Sequence, residues 1–153
     1  VIYSFTEQLA KGKQQEQRLD DFFRRYFKIR PASGNQQRKG IDRIFKGIEY
    51  GQRLTVEYKA DWRASSSGNV WLELSNADQA GWMLKCQADY LVYFLPNSTT
   101  VYMADTALLQ ASLPDWLATC ETRQVHDRGT AATGLLVPLP EFAKTCVQIF
   151  SIN

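Results

Sequence analysis

Apolar residues recur at Leu19, Phe22, Phe23, Tyr26 and Phe27, at separations of three and four that gather them on one side of an α-helix. Ser4 and Glu7 stand ahead of them at capping-box spacing. The pattern therefore predicts one long amphipathic helix over 4–29, with Gly12 a weak point. Pro31 disfavours helical geometry at Arg30, and Ala32-Ser33-Gly34-Asn35 is loop chemistry. A short mixed segment over 40–45 and a turn over 47–51 follow. Leu54, Val56, Tyr58 and Ala60 then alternate with Thr55, Glu57, Lys59 and Asp61, the period of a half-buried strand. A serine-rich turn over 65–69 leads to a second alternation with Val70, Leu72 and Leu74 on one face, read as the next strand of the same sheet. Residues 78–88 read as a short helix or helical turn, 91–95 and 100–103 as strands around Pro96-Asn97-Ser98, and 106–120 as a helix despite Pro114. The tail reads as irregular, ending in a short helix from Glu141. The expected order is helix, three antiparallel strands, helix, strand pair, helix. That is an α/β fold with one sheet, free of internal repeats.

Composition narrows the classes. A chain of 153 residues, 44% hydrophobic, suits a single domain over 1–153 with a real core. No apolar run is long enough to span a membrane, and the start at Val1 shows no secretory-signal pattern. Cys86, Cys120 and Cys146 are odd in number and lack CxxC spacing, which predicts reduced thiols packed as small core residues and a cytoplasmic location. The single histidine, His126, reads as a surface residue in a polar loop; with it go zinc fingers, HExxH proteases and two-histidine nucleases. Metal chemistry here would use carboxylate oxygens, which suit Mg2+ or Mn2+.

The net charge of +2 hides an asymmetry. Residues 1–63 carry 14 Lys/Arg against 8 Asp/Glu, and residues 64–153 carry 4 against 8. The basic half could form a phosphate-facing surface if the fold gathers its side chains; otherwise it is a solvated helix face with basic loops.

Within that half, Glu57 and Lys59 share a strand face, about 6.6 Å apart along the chain. A hairpin of 41–46 with 53–60 around Glu49 and Tyr50 sets Asp42 opposite Glu57, with Cβ atoms about 4.5–5.5 Å apart. Like charges so placed are destabilising unless a cation lies between them. Lys59 beside them could orient a water and stabilise charge developing on a phosphate. Extending the pairing across the serine turn would bring Glu73 beside Glu57, although a one-residue slip turns it away. Glu16, seven residues before Phe23, lies about 20° from it around the helix, and a carboxylate on an apolar stripe needs a partner.

The order Gly12-x-x-x-Glu16, Gly40-Ile41-Asp42, Val56-Glu57-Tyr58-Lys59 resembles the PD-(D/E)XK, or restriction-endonuclease-like, nuclease superfamily, with Ile41 where the name motif has proline. The helix glutamate is similar to that of archaeal Holliday-junction resolvases. The resemblance implies an αβββαβ core with one mixed sheet flanked by helices. It implies that Asp42 and Glu57 bind Mg2+, that Lys59 assists the attacking water and that Glu16 supports the site. The expectation is a Mg2+-dependent DNA endonuclease, plausibly a homodimer, with the backbone carbonyl of Tyr58 as a further metal ligand and Arg38, Lys39 and Arg43 on phosphate. The rival is a non-cleaving nucleic-acid-binding or mobile-element accessory protein on the same fold; a third reading assigns the charge asymmetry to a protein partner. Trp62, Trp71 and Trp82 read as packing residues, Trp62 lying close behind the active strand. Lys85 and the Gly129 to Gly134 segment read as solvated loop. DNA specificity and biological role are left open.

Overall fold

The structure is a computed structural model that describes residues 5–127 and 129–152, so Ser4 of the expected capping box lies outside the described residues. In chain order the elements are α1 (Phe5–Phe23), β1 (Phe27–Pro31), α2 (Gly34–Arg38), β2 (Arg43–Gly47), β3 (Arg53–Ala60), α3 (Ala64–Ser67), β4 (Asn69–Asn76) and β5 (Gln79–Ala80). They continue with α4 (Trp82–Lys85), β6 (Tyr90–Leu95), β7 (Thr100–Asp105), α5 (Thr106–Thr119), β8 (Glu121–Asp127), β9 (Thr130–Pro138), α6 (Leu139–Ala143) and β10 (Cys146–Ser151). The strands form two sheets. One is six-stranded and mixed, in the order β1-β2-β3-β6-β7-β10; the other is four-stranded and antiparallel, in the order β5-β4-β9-β8.

Strand β6 shows how the layers stack. Its sequence is almost wholly apolar because both faces are covered, the expected pattern for a strand beside a parallel neighbour, here β3. Val92 and Phe94 join Leu19 and Phe23 of α1, with Phe45, Val56 and Tyr58, in one cluster. Leu91, Tyr93 and Leu95 join Val70 and Leu72 of β4, Leu135 and Val137 of β9, and α5 in another. Helix α1 thus covers one face of the large sheet, and the small sheet with α5 and α6 covers the other. No described helix is long and apolar enough to cross a membrane.

Four expectations are corrected. The first helix stops at Phe23, and Phe27–Pro31 is an edge strand paired with β2, from Phe27 opposite Gly47 to Pro31 opposite Arg43. Phe27 and Ile29 fit a strand's period as well as a helix's, and packing decides: the Phe27 and Phe45 rings sit 5.0 Å apart. Pro31, which cannot donate to a ladder, is tolerated on the edge.

The strand after β3 leaves the sheet. Asp61 accepts hydrogen bonds from the Arg63 and Ala64 amides, and Gly68 adopts a left-handed φ of 77°, so α3 turns the chain away. β4 then pairs with β5 and β9, and β3 pairs with β6 instead. The core therefore has two sheets where one was expected. The short helix or helical turn expected over 78–88 forms as the single turn of α4, but it is confined to Trp82–Lys85 and preceded by the strand β5. The tail is not irregular, since β8, β9 and β10 occupy most of it, and His126 lies exposed on β8. Gly134 sits within β9 opposite Glu73 because a Cβ there would meet the Trp71 ring at 2.4 Å. The helix over 106–119 forms with Pro114 inside it, and all three cysteines are free thiols.

Candidate active site

β2 and β3 pair with Arg43 opposite Val56, the register that sets Asp42 beside Glu57. Asp42 marks where the two strands part. Its amide donates to the Val56 carbonyl at 2.8 Å, and its Oδ2 accepts from the Tyr58 amide at 2.8 Å, so the carboxylate clamps the free stretch of β3. The loop before it is pinned. Gly40 has a φ of 71°, and a Cβ there would lie 2.7 Å from the Cα of Cys86. Gln87 N–H donates to the Lys39 carbonyl across the same contact.

Strand pleating puts Asp42, Glu57 and Lys59 on one face. Glu57 is only 6% exposed, and its Oε1 lies 3.2 Å from the Lys59 Nζ. Burial pushes its carboxyl up to about 7, against the pull of Lys59 and with the help of the Asp42 charge. The Lys59 ammonium also lies 5.2 Å over the Trp82 ring, which fixes it from the other side.

The opposite face holds a second charged group. Asp20, buried on α1, accepts from the Arg43 Nε at 3.1 Å and from the Tyr58 hydroxyl at 2.9 Å. Arg43 stacks 5.2 Å from the Tyr58 ring and reaches Glu16 at 3.7 Å. Burial raises the Glu16 carboxyl while Arg43 opposes the shift, and burial followed by the Asp20 charge raises the Tyr58 phenol. For Arg43, the lowering effect of burial is outweighed by Asp20, and the guanidinium is held more firmly charged. Glu16, Tyr58 and Lys59 line a cleft of about 590 Å³ with Lys11 and Trp62.

Among the expected site residues, Asp42, Glu57, Tyr58 and Lys59 come together at one point of the sheet. Glu16 stands across the sheet, with Arg43 between it and the strand. The Arg43 guanidinium is directed at Asp20 and Glu16, and Arg38 and Lys39 are exposed at the end of α2, where Arg38 bonds Asn35. Glu73 does not pair with Glu57; it accepts from the Trp82 amide at 3.3 Å. Asp20 was missed, although its place one helical turn after Glu16 and next to Leu19 on the apolar stripe was the available signal.

Among the described residues no group of three or more His, Cys, Asp or Glu side chains is arranged to hold a metal ion. Asp42 and Glu57 nevertheless supply two hard oxygen donors side by side, the donor type that a divalent cation such as Mg2+ takes. No protein-family model, curated protein or solved structure matches the chain.

Proposed function

We propose that the chain is a Mg2+-dependent DNA endonuclease on a restriction-endonuclease-like core. The observation that carries this reading is the adjacency of Asp42 and Glu57 on neighbouring strands, with Lys59 on the same face bonded to Glu57. The order α1-β1-β2-β3, with Asp42 just ahead of β2 and Glu57 and Lys59 inside β3, supports it. So does a basic first half of the chain holding all these groups.

Asp42, Glu57 and the Tyr58 carbonyl would hold the metal, which when bound supplies Lewis-acid stabilisation of the phosphate and lowers the pKa of water. Lys59 orients the attacking water and stabilises charge on the phosphate oxygens. Asp20 and Glu16 hold Arg43 against the Tyr58 ring, stiffening the strand that presents these groups. Each chain supplies one such site, so cutting both strands at a branched or locally unpaired position would take two copies, as in a homodimer.

A non-cleaving nucleic-acid-binding role is the second reading, favoured by the direct bond between Glu57 and Lys59, which neutralises both groups without a ligand. Supercoiled plasmid and a branched junction incubated with protein in Mg2+ or EDTA separate the two. The endonuclease nicks in Mg2+ alone, and Lys59→Ala abolishes nicking while the circular-dichroism spectrum is kept. Nicking that survives Lys59→Ala, or no cutting of any substrate, rejects the catalytic assignment.

A further inference from the structure

Two cavities meet at Lys59, Ala60 and Trp62. One is the cleft beside α1; the other, of about 610 Å³, lies on the outward face of the small sheet, where β3 runs out against it. Its volume falls within the roughly 300–1,000 Å³ of small-ligand clefts. Three of the chain's four tryptophans, Trp62, Trp71 and Trp82, line it. The fourth, Trp116, is buried in the core, where a tryptophan that only packs belongs. Trp62 is 42% exposed, a large apolar ring held at a cavity mouth.

The walls are built in place. Trp71 passes over Gly134, which has no Cβ to displace it, and the Tyr93 hydroxyl accepts from its amide at 3.0 Å. Trp82 is held by Glu73 at its amide and by Lys59 over its ring. Both carboxylates at the cavity are engaged inward: Asp61 with the Tyr93 hydroxyl and the Arg63 and Ala64 amides, Glu73 with Trp82 and Asn76. Arg63 supplies positive charge around the aromatic rings, together with Lys59 and Arg123, which are ion-paired with Glu57 and Glu121. Flat π surfaces ringed by cations suit a nucleobase carried on a phosphate backbone, because every base has a π face.

We propose that this cavity takes an unpaired nucleobase next to the phosphate that Lys59 and a metal on Asp42 and Glu57 would hold, so that the substrate is single-stranded or locally unpaired DNA. This specifies the substrate of the endonuclease reading and rests on it. A base still paired in a duplex has its faces covered by stacking and cannot enter.

The test compares two strands of equal length and charge, octathymidylate and an octamer of abasic sites, bound in EDTA so that no cutting occurs. Octathymidylate should bind about tenfold or more tightly than the abasic strand and quench tryptophan emission. Trp62→Ala should remove most of that preference and Trp62→Phe should keep it. Equal affinity of the two strands for the native protein, or a preference untouched by Trp62→Ala, overturns the cavity assignment. Plasmid nicking in Mg2+ run alongside separates the failures. Nicking with equal affinities rejects the base site alone, whereas absence of both nicking and DNA binding rejects the endonuclease reading with it.

Discussion

Glu57 is more stable as a neutral acid inside this fold than in an unfolded chain, because burial and the neighbouring Asp42 outweigh Lys59. The sign of its effect on stability follows. With a folded pKa of about 7 above an ordinary value of 4.5, its contribution is fully present at pH below 4.5 and is lost as pH rises through 7. The loss is on the order of 3 kcal/mol. Urea denaturation of metal-free protein at pH 5 and pH 8 should show this fall, and Glu57→Gln should flatten it. On the endonuclease reading Mg2+ would work in the other direction, since a ligand carboxylate must be deprotonated; its affinity, read by calorimetry, should rise between pH 6 and 8 with release of a proton. Asp20 is the structural counterpart on the other face. Asp20→Ala leaves the Arg43 guanidinium with Glu16 as its one carboxylate partner, beside the Asp42 carbonyl, and strips the Tyr58 hydroxyl of its acceptor. It should cost about 3 kcal/mol in urea denaturation, as removing one partner of a mostly buried ion pair does.

The β2-β3 hairpin was legible from the sequence because β3 has strict period two and its turn is short, which together fix a register. The same local rules failed at β4. Nothing in its alternation says which neighbour it pairs with; the choice lies in β9, more than fifty residues away, and in the α3 turn that aims it there. β1 failed for a different reason, since Phe23 and Phe27 satisfy both helical and strand spacing and only the aromatic packing on Phe45 separates them. Asp42, Glu57 and Lys59 were legible because they depend on one hairpin. The partnership of Arg43 with Asp20 was not, because it needs the docking of α1. Between elements, Gly40 carries the most. Its left-handed backbone presses on Cys86, so Gly40→Ala must both strain the turn and push α4 away. A loss of about 2 kcal/mol is expected in urea denaturation, together with weaker Mg2+ binding, since Asp42 lies two residues on.

The basic and acidic parts of the chain sum to a small net charge, so strong nonspecific attraction to DNA is not the expectation; phosphate contact should come from the cations around Lys59. DNA affinity should therefore fall as salt rises with a shallow slope on a log–log plot, and Arg63→Ala, at the edge of both the strand end and the aromatic cavity, should reduce that slope by about 1. The pairing of β4 with β9 also sets an order of assembly. The hairpin bearing Asp42 and Glu57 closes locally, whereas the wall holding Trp71 cannot exist until residues 130–138 have been made and folded back across the chain. Asp42 and Glu57 can thus stand side by side well before the tryptophan-lined wall exists, so the proposed active site would be assembled before the proposed base site.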